Sequence, residues 1–276
     1  SLAALMVFGL ASCGGGSGKV SDKDITVISR EEGSGTRDAF TELTGVLQDD
    51  VDKTVDTAEI SNSTSVVTQS VAGNDAAIGY ISLGSLDDTV KAVKVDGIEA
   101  TVDNIKSGDY KIQRPFNIVT KGEVKELPAD FIKFIMSKDG QKIIEDEGYI
   151  SVNENAEAYK ASGLKGSITL AGSTSVSPVM EVLADKYKEL NSGVTIEIQQ
   201  TGSGAGIQST TEGVCDIGMA SRELKDEETS QGLKSEEIAL DGIAVIVNKD
   251  NGVEDLSMDQ IMKIFTGEIT NWADVK

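Results

Sequence analysis

Three times in this chain a short β-branched run passes through a Gly/Ser/Thr loop into the start of a helix. The first is Ile25–Ser29, then Arg30-Glu31-Glu32-Gly33-Ser34-Gly35-Thr36, leading into a helix from Arg37. The second is Ile168–Leu170, then Ala171-Gly172-Ser173-Thr174-Ser175, with Pro178 in the following first turn. The third is Val194–Gln200, then Thr201-Gly202-Ser203-Gly204-Ala205-Gly206, with a helix closed by Gly213. Pro near a helix start and Gly just past its end are where helix chemistry favours them. Further strands are expected at 76–81, 90–95, 116–120 and 242–247. Alternating strand and helix signals predict an α/β fold with parallel sheets. Apolar 3–4 spacing predicts one helix through Phe131, Phe134, Ile135 and Ile143. It predicts a second through Val179, Leu183, Tyr187 and Leu190, and a third through Ile261, Ile264 and Phe265. Residues 156–166 read as a surface connector.

Each loop suits an anion. Glycine lets the backbone approach a ligand, first-turn N–H groups point outward, and the helix dipole places partial positive charge there. A single such loop is no more than an N-cap and a tight turn. Three together, one beside one of only four arginines, suggest a shared oxyanion site. The alternative for Arg30 is a surface side chain paired with Glu31 or Glu32. Nucleotide motifs do not fit, because G-x-x-x-x-G-K-[ST] is absent and Gly202–Gly206 lacks the G-x-G-x-x-G spacing.

Composition narrows the function. The 276 residues include no His, which removes Ser-His-Asp and Cys-His catalysis and every His-containing metal site. A net charge of -21 disfavours nucleic acid and anionic lipid as partners. It does not exclude an anion, because salt screens the mean field beyond about 8 Å and local dipoles then dominate.

The two cysteines differ. Cys13 ends the apolar run from Leu2 and precedes Gly14-Gly-Gly-Ser-Gly18. That run is too short to span a bilayer and resembles a signal-peptide core, with Leu10-Ala-Ser-Cys13 resembling a bacterial lipobox. Residues 1–12 are then a signal peptide cut short at its start, and residues 13–23 a lipid-anchored tether. Cys215 is expected to be a small buried hydrophobe.

Ser29-Arg-Glu-Glu-Gly-Ser-Gly-Thr-Arg37, Ala171-Gly-Ser-Thr-Ser175 and Asp216-Ile-Gly-Met-Ala-Ser-Arg222 resemble the phosphate-binding lipoproteins of phosphate ABC importers. The resemblance runs from about Asp24 to Lys276. Its order is unusual. In most of that family the Gly-Ser-Thr-Ser block comes first, and Arg-Glu-Glu-Gly-Ser-Gly-Thr follows a Thr-Gly-x-Ile-Thr-x-Trp element, which here closes the chain at Trp272. The resemblance implies a two-lobed type II periplasmic-binding-protein clamp of α/β class, circularly permuted, with 24–111 plus 241–276 as one lobe and 112–240 as the other. Gln113–Thr120 and Asp241–Val247 would be the crossings.

Carried over residue by residue, it implies phosphate contacts from Arg30, Ser34, Gly35, Thr36, Thr174, Ser175, Ser203 and Ser221. Many members place Asp after that last Ser, where it accepts the proton of hydrogen phosphate. Here the position is Arg222, which leaves Glu223 or Glu32 as candidate acceptors and Asp241 after them. The implied protein is a monomeric, non-enzymatic receptor needing no cofactor or metal. It would bind inorganic phosphate on the outer face of the cell membrane, touch the membrane through its lipid only, and deliver ligand to ABC permease subunits. The alternatives are a receptor for another tetrahedral oxyanion such as sulfate, a secreted phosphotransfer enzyme using Ser34 or Ser203, or a surface interaction protein. Replacing Cys13 with Ser should release the protein into the aqueous fraction; membrane retention of that variant would refute the lipobox assignment.

Overall fold

A computed structural model describes residues 22–275; Cys13, the signal segment and most of the tether lie outside them. In chain order, the first half holds β1 (Thr26–Arg30), α1 (Gly35–Thr44), β2 (Leu47–Gln48), β3 (Val51–Asp52) and β4 (Glu59–Ser61). It continues with α2 (Thr64–Ala72), β5 (Ala77–Ser82), β6 (Val90–Ala92), β7 (Lys94–Val95) and α3 (Val102–Lys106). The chain then runs through β8 (Gln113–Lys121), α4 (Glu126–Ile135), α5 (Lys138–Asp146), β9 (Ile150–Ser151) and β10 (Gly166–Gly172). There follow α6 (Ser177–Leu190), β11 (Val194–Gln200), α7 (Ser203–Glu212), β12 (Ile217–Ala220) and α8 (Asp226–Thr229). It returns on β13 (Leu233–Asn248) and closes with β14 (Asp255–Leu256) and α9 (Met258–Phe265).

The expected strands are present except that 90–95 is two, β6 on β13 and β7 on β14, and the main sheet is mixed. Parallel pairing joins β1 to β4 and β5, and β10 to β11 and β12. Strands β8 and β13 run antiparallel to their neighbours. Both lie near the centre of the order β11-β10-β12-β8-β13-β5-β1-β4. A strand returning from one lobe to the other enters against the local direction, which turns a parallel sheet mixed. The helix expected through Phe131 and Ile143 is two helices. Ser137 caps the second by accepting a hydrogen bond from Gly140 N–H, and its own hydroxyl bonds the Phe134 carbonyl. Gln141 then bonds the carbonyls of Ile135 and Ile238, so the break is tied into the sheet.

Two cores flank the crossing. In one lobe Phe40 stacks on Tyr80 with centroids 3.9 Å apart and planes 10° apart, and Phe265 meets Phe40 edge-on at 4.7 Å. In the other, Phe131, Phe134 and Tyr187 pack with Leu170, Leu183 and Ile217. Cys215 is buried, as expected of a small hydrophobe. The parallel strands of both lobes end toward the same cleft, where ligands of open α/β sheets bind. Arg30, Ser61, Ser82, Gly172, Gln200 and Ala220 are their last residues.

At the crossing, Arg114 of β8 and Asp241 of β13 pair at 3.0 Å with side chains 1% and 0% exposed, and Ser82 donates to Asp241 at 2.8 Å. Burial raises the Asp241 carboxyl against the pull of Arg114, and burial lowers the guanidinium. Removing one partner leaves a buried charge uncompensated. Asp241→Asn should therefore lower the unfolding free energy by about 3–5 kcal/mol in urea titration, and a loss under about 1 kcal/mol would show the pair to be dispensable.

Candidate functional site

Four helix N-termini converge in the cleft, two from each lobe. The first-turn N–H groups of a helix have no acceptor within it, so this arrangement focuses donors and partial positive charge. Helix α1 starts at Gly35, with Ser34 as N-cap accepting from Arg37 N–H. Helix α7 starts at Ser203 behind Gly202, whose φ of 88° is a left-handed conformation suited to glycine. Helix α6 follows Ser173–Val176 directly, and Ser173 Oγ accepts from the N–H groups of Ser175 and Val176. The fourth is α2, starting at Thr64 with Ser63 as its cap.

The lobes touch through hydroxyls. Thr36 Oγ1 lies 2.9 Å from Ser175 Oγ, and Thr64 Oγ1 lies 3.3 Å from Ser175 Oγ and 3.4 Å from Thr174 Oγ1. Ser173 donates to Ser221 Oγ at 3.0 Å, and Ser203 Oγ lies 3.3 Å from the same atom. Gly204 N–H donates to the Gly33 carbonyl at 3.0 Å. Gly35 permits this approach, since a Cβ there would overlap Ser203 Oγ and fall 2.7 Å from Ser221 Oγ.

Arg30 lies within this cluster, 1% exposed. Its Nη2 donates to Thr174 Oγ1 at 3.0 Å, and its Nε and Nη2 both bond Glu31 at 2.8 Å. The alternative pairing with Glu31 thus occurs, but on a buried arginine spanning the two lobes. Tyr80 fixes the strand beneath it: its hydroxyl lies 2.9 Å from Ser29 Oγ and accepts from Arg30 N–H at 3.3 Å. Burial pushes the Tyr80 phenol up to about 12 against those bonds, so it stays protonated near neutrality.

The structure brings Arg30, Ser34, Gly35, Thr36, Thr174, Ser175, Ser203 and Ser221 together, all buried. It does not bring in the candidate proton acceptors. Glu32 and Glu223 are exposed, and Asp241 is engaged by Arg114 and Ser82 at the crossing. The carboxylate on Arg30 is Glu31, beside Gly202, whose added Cβ would lie 3.7 Å from Glu31 Oε1. Arg222 turns from the hydroxyls to Glu228 and Asp38. Thr64 and Ser173 escaped sequence reasoning as site residues. Ser61-Asn-Ser-Thr-Ser65 carries the Ser/Thr signal of the other loops, but the three-residue strand before it is too short to register. Chemically, this is a cage of rotatable hydroxyls, one guanidinium and oriented backbone donors, matched to a small oxyanion. Among the described residues no group of acidic or thiol side chains could hold a metal ion.

A sequence model of the PBP superfamily domain matches residues 17–139 and 157–276. The phosphate-binding protein PstS 2 of Streptococcus agalactiae is 52% identical over 272 residues, covering 96% of this chain and 92% of that one. Its namesake from Streptococcus pneumoniae is 48% identical over 276 residues, covering 98% and 94%. The crystal structure of a phosphate-binding protein of a phosphate ABC transporter from Streptococcus pneumoniae superposes with a TM-score of 0.75 at 48% identity. It covers 92% of this chain and all of that one.

The Arg222 cluster carries a pH signature. Burial raises the Glu228 carboxyl, but bonds from Arg222 and Lys225 N–H outweigh it, and the net shift is downward. A carboxyl depressed on folding stabilises fully above its unfolded pKa, about 4.3, and that stabilisation is lost as pH falls through the folded value. Thermal melts should therefore show Glu228→Gln losing more stability at pH 7 than at pH 3; an equal loss at both would contradict the ion pair.

Proposed function

The chain belongs to the PBP superfamily, and within it to the phosphate-binding proteins of ABC importers; on that premise we propose that it binds inorganic phosphate between its lobes and delivers it to a permease. The observation that carries this reading is the buried Arg30 guanidinium bonded across the cleft to Thr174 amid hydroxyls at four helix N-termini. Arg30 supplies the charge. Ser34, Gly35, Thr36, Thr174, Ser175, Ser203 and Ser221 supply hydroxyl or N–H donors, and Thr64 joins them. Hydroxyl pairs such as Thr36–Ser175 exchange each other for ligand oxygens as they rotate. A five-heavy-atom ligand at about 1.5 kcal/mol per atom reaches roughly -7.5 kcal/mol, near micromolar, provided almost every oxygen lone pair is matched.

Two lobes, 24–111 plus 241–276 and 112–240, fit the sheet change within β13 and two cores that are separate apart from Ile112 and Ile150, which pack on the first. The permuted order is supported by the contact of distant segments: Ile25 N–H donates to the Thr270 carbonyl at 2.8 Å, and Trp272 N–H to the Lys23 carbonyl at 3.0 Å. Rejoining elsewhere leaves such a fold intact. An extracytoplasmic, monomeric receptor anchored through Cys13 completes the reading. For a phosphotransfer role of Ser34 or Ser203 the chain offers no His as base, and each hydroxyl oxygen accepts from a backbone N–H.

Selectivity follows from the same geometry. A hydroxyl either donates to an oxygen or accepts from a protonated one, so it accommodates sulfate as well as hydrogen phosphate. A fixed carboxylate would reject sulfate, because two acceptors would face each other. With Glu32 and Glu223 exposed and both Glu31 oxygens engaged by Arg30, discrimination against sulfate should be weaker than a site with a free carboxylate gives. Calorimetric titration with phosphate, sulfate and arsenate tests both points. Arg30→Ala should weaken phosphate binding by more than tenfold, since a charge-assisted bond contributes about 1.5–3 kcal/mol. No heat from phosphate in the wild type would overturn the function, and wild-type affinity in Arg30→Ala would overturn the assignment of Arg30.

A further inference from the structure

Arg222 directly follows Ser221, whose hydroxyl belongs to the cleft, yet its side chain leaves the hydroxyl cluster. Glu228 holds it bidentately, Nη1 to Oε2 and Nη2 to Oε1, both at 2.8 Å. Nη1 also bonds the Glu223 carbonyl at 2.8 Å. Glu228 is itself fixed, because its Oε2 accepts from Lys225 N–H at 2.8 Å. These contacts all lie within one lobe and build a rigid platform of the kind a planar guanidinium favours. Nε points away from these partners and reaches Asp38 Oδ2 at 3.0 Å in the other lobe.

Asp38 sits in the first turn of α1, and its N–H donates to the Ser34 carbonyl at 2.9 Å. One ion pair therefore ties the segment carrying Ser221 to the helix carrying Ser34, Gly35 and Thr36. The Arg222 side chain is 8% exposed and that of Asp38 31%. Two other ion pairs join the lobes: Arg114–Asp241 lies at the strand crossing itself, and Lys106–Glu154 at 3.2 Å is 59% and 71% exposed and contributes little through solvent. The cross-cleft hydroxyl and guanidinium contacts of the site use groups that an anion would engage. The Arg222–Asp38 pair does not compete with ligand.

We propose that Arg222 is a positioning residue, a latch on Asp38 that holds the lobes closed independently of ligand and so raises anion affinity. The affinity part rests on the phosphate reading above; the closure part does not. Apparent affinity scales with the fraction of molecules in the competent form, so a pair that favours closure tightens binding without touching the anion.

The test has two arms on the full chain. In the absence of phosphate, small-angle scattering of Asp38→Asn and Arg222→Lys should show a larger radius of gyration than wild type. The double variant should add little to either, as expected of two ends of one interaction. In the presence of inorganic phosphate, each variant should bind about three- to tenfold more weakly, with the change carried by faster dissociation. Raising salt should speed dissociation from wild type and hardly affect Asp38→Asn. Unfolding midpoints identify any variant that is merely misfolded, and Arg222→Lys keeps the test open if Asp38→Asn fails. Unchanged scattering together with unchanged dissociation in folded variants would overturn the latch. A wild type that ignores phosphate while the variants still expand would overturn the phosphate reading and leave the latch standing.

Discussion

A guanidinium that is 1% exposed cannot stand uncompensated, and the architecture of the cleft follows from satisfying Arg30. Glu31 neutralises it from the adjacent position, the Ser61 carbonyl accepts from Nε at 3.3 Å, and Thr174 accepts from Nη2 across the cleft. Those three partners bring together the end of β1, the end of β4 and the loop after β10. The Tyr80 hydroxyl holds the same strand from beneath, so the aromatic core of one lobe sets the position of the charge. Packing, electrostatics and site geometry meet at one side chain.

The parts of the site visible in the sequence were those with a local signature. Gly-Ser-Gly-Thr after β1, Gly-Ser-Thr-Ser after β10 and Gly-Ser-Gly-Ala-Gly after β11 each combine close backbone approach, hydroxyls and a helix start within a few residues. What stayed hidden depended on pairing over long sequence separation. Thr64 becomes a site residue through contacts to Thr174 and Ser175, 110 and 111 positions away. The antiparallel placement of β8 and β13 likewise follows from chain return, which no local propensity encodes. The break at Ser137 is a case of capping overriding apolar periodicity, because Phe131 and Ile143 share a spacing but not a helix.

Charge partners were the least legible. Glu31, Glu32 and Glu223 are equivalent in composition, and only the fold decides that Glu31 meets the guanidinium while the other two face solvent. Arg222 shows the same limit. Sequence gives a basic residue beside a cleft serine, whereas its role depends on Glu228 six positions on and Asp38 in the opposite lobe.

The register of β13 has a mechanical meaning. Gly242 is the last residue paired with β8, at Gln113, and Ile243 is the first paired with β5, at Ser82. Two ladders, each stiff along its own length, therefore meet at a single peptide link. Past that link only the Ile112 carbonyl, accepting from Ile243 N–H at 2.8 Å, continues the first ladder, so rotation of one lobe against the other through this strand concentrates in the torsions flanking it. Few torsions mean few soft modes: the strand acts as a flexure with a defined axis, and opposing faces return to the same alignment each time they meet.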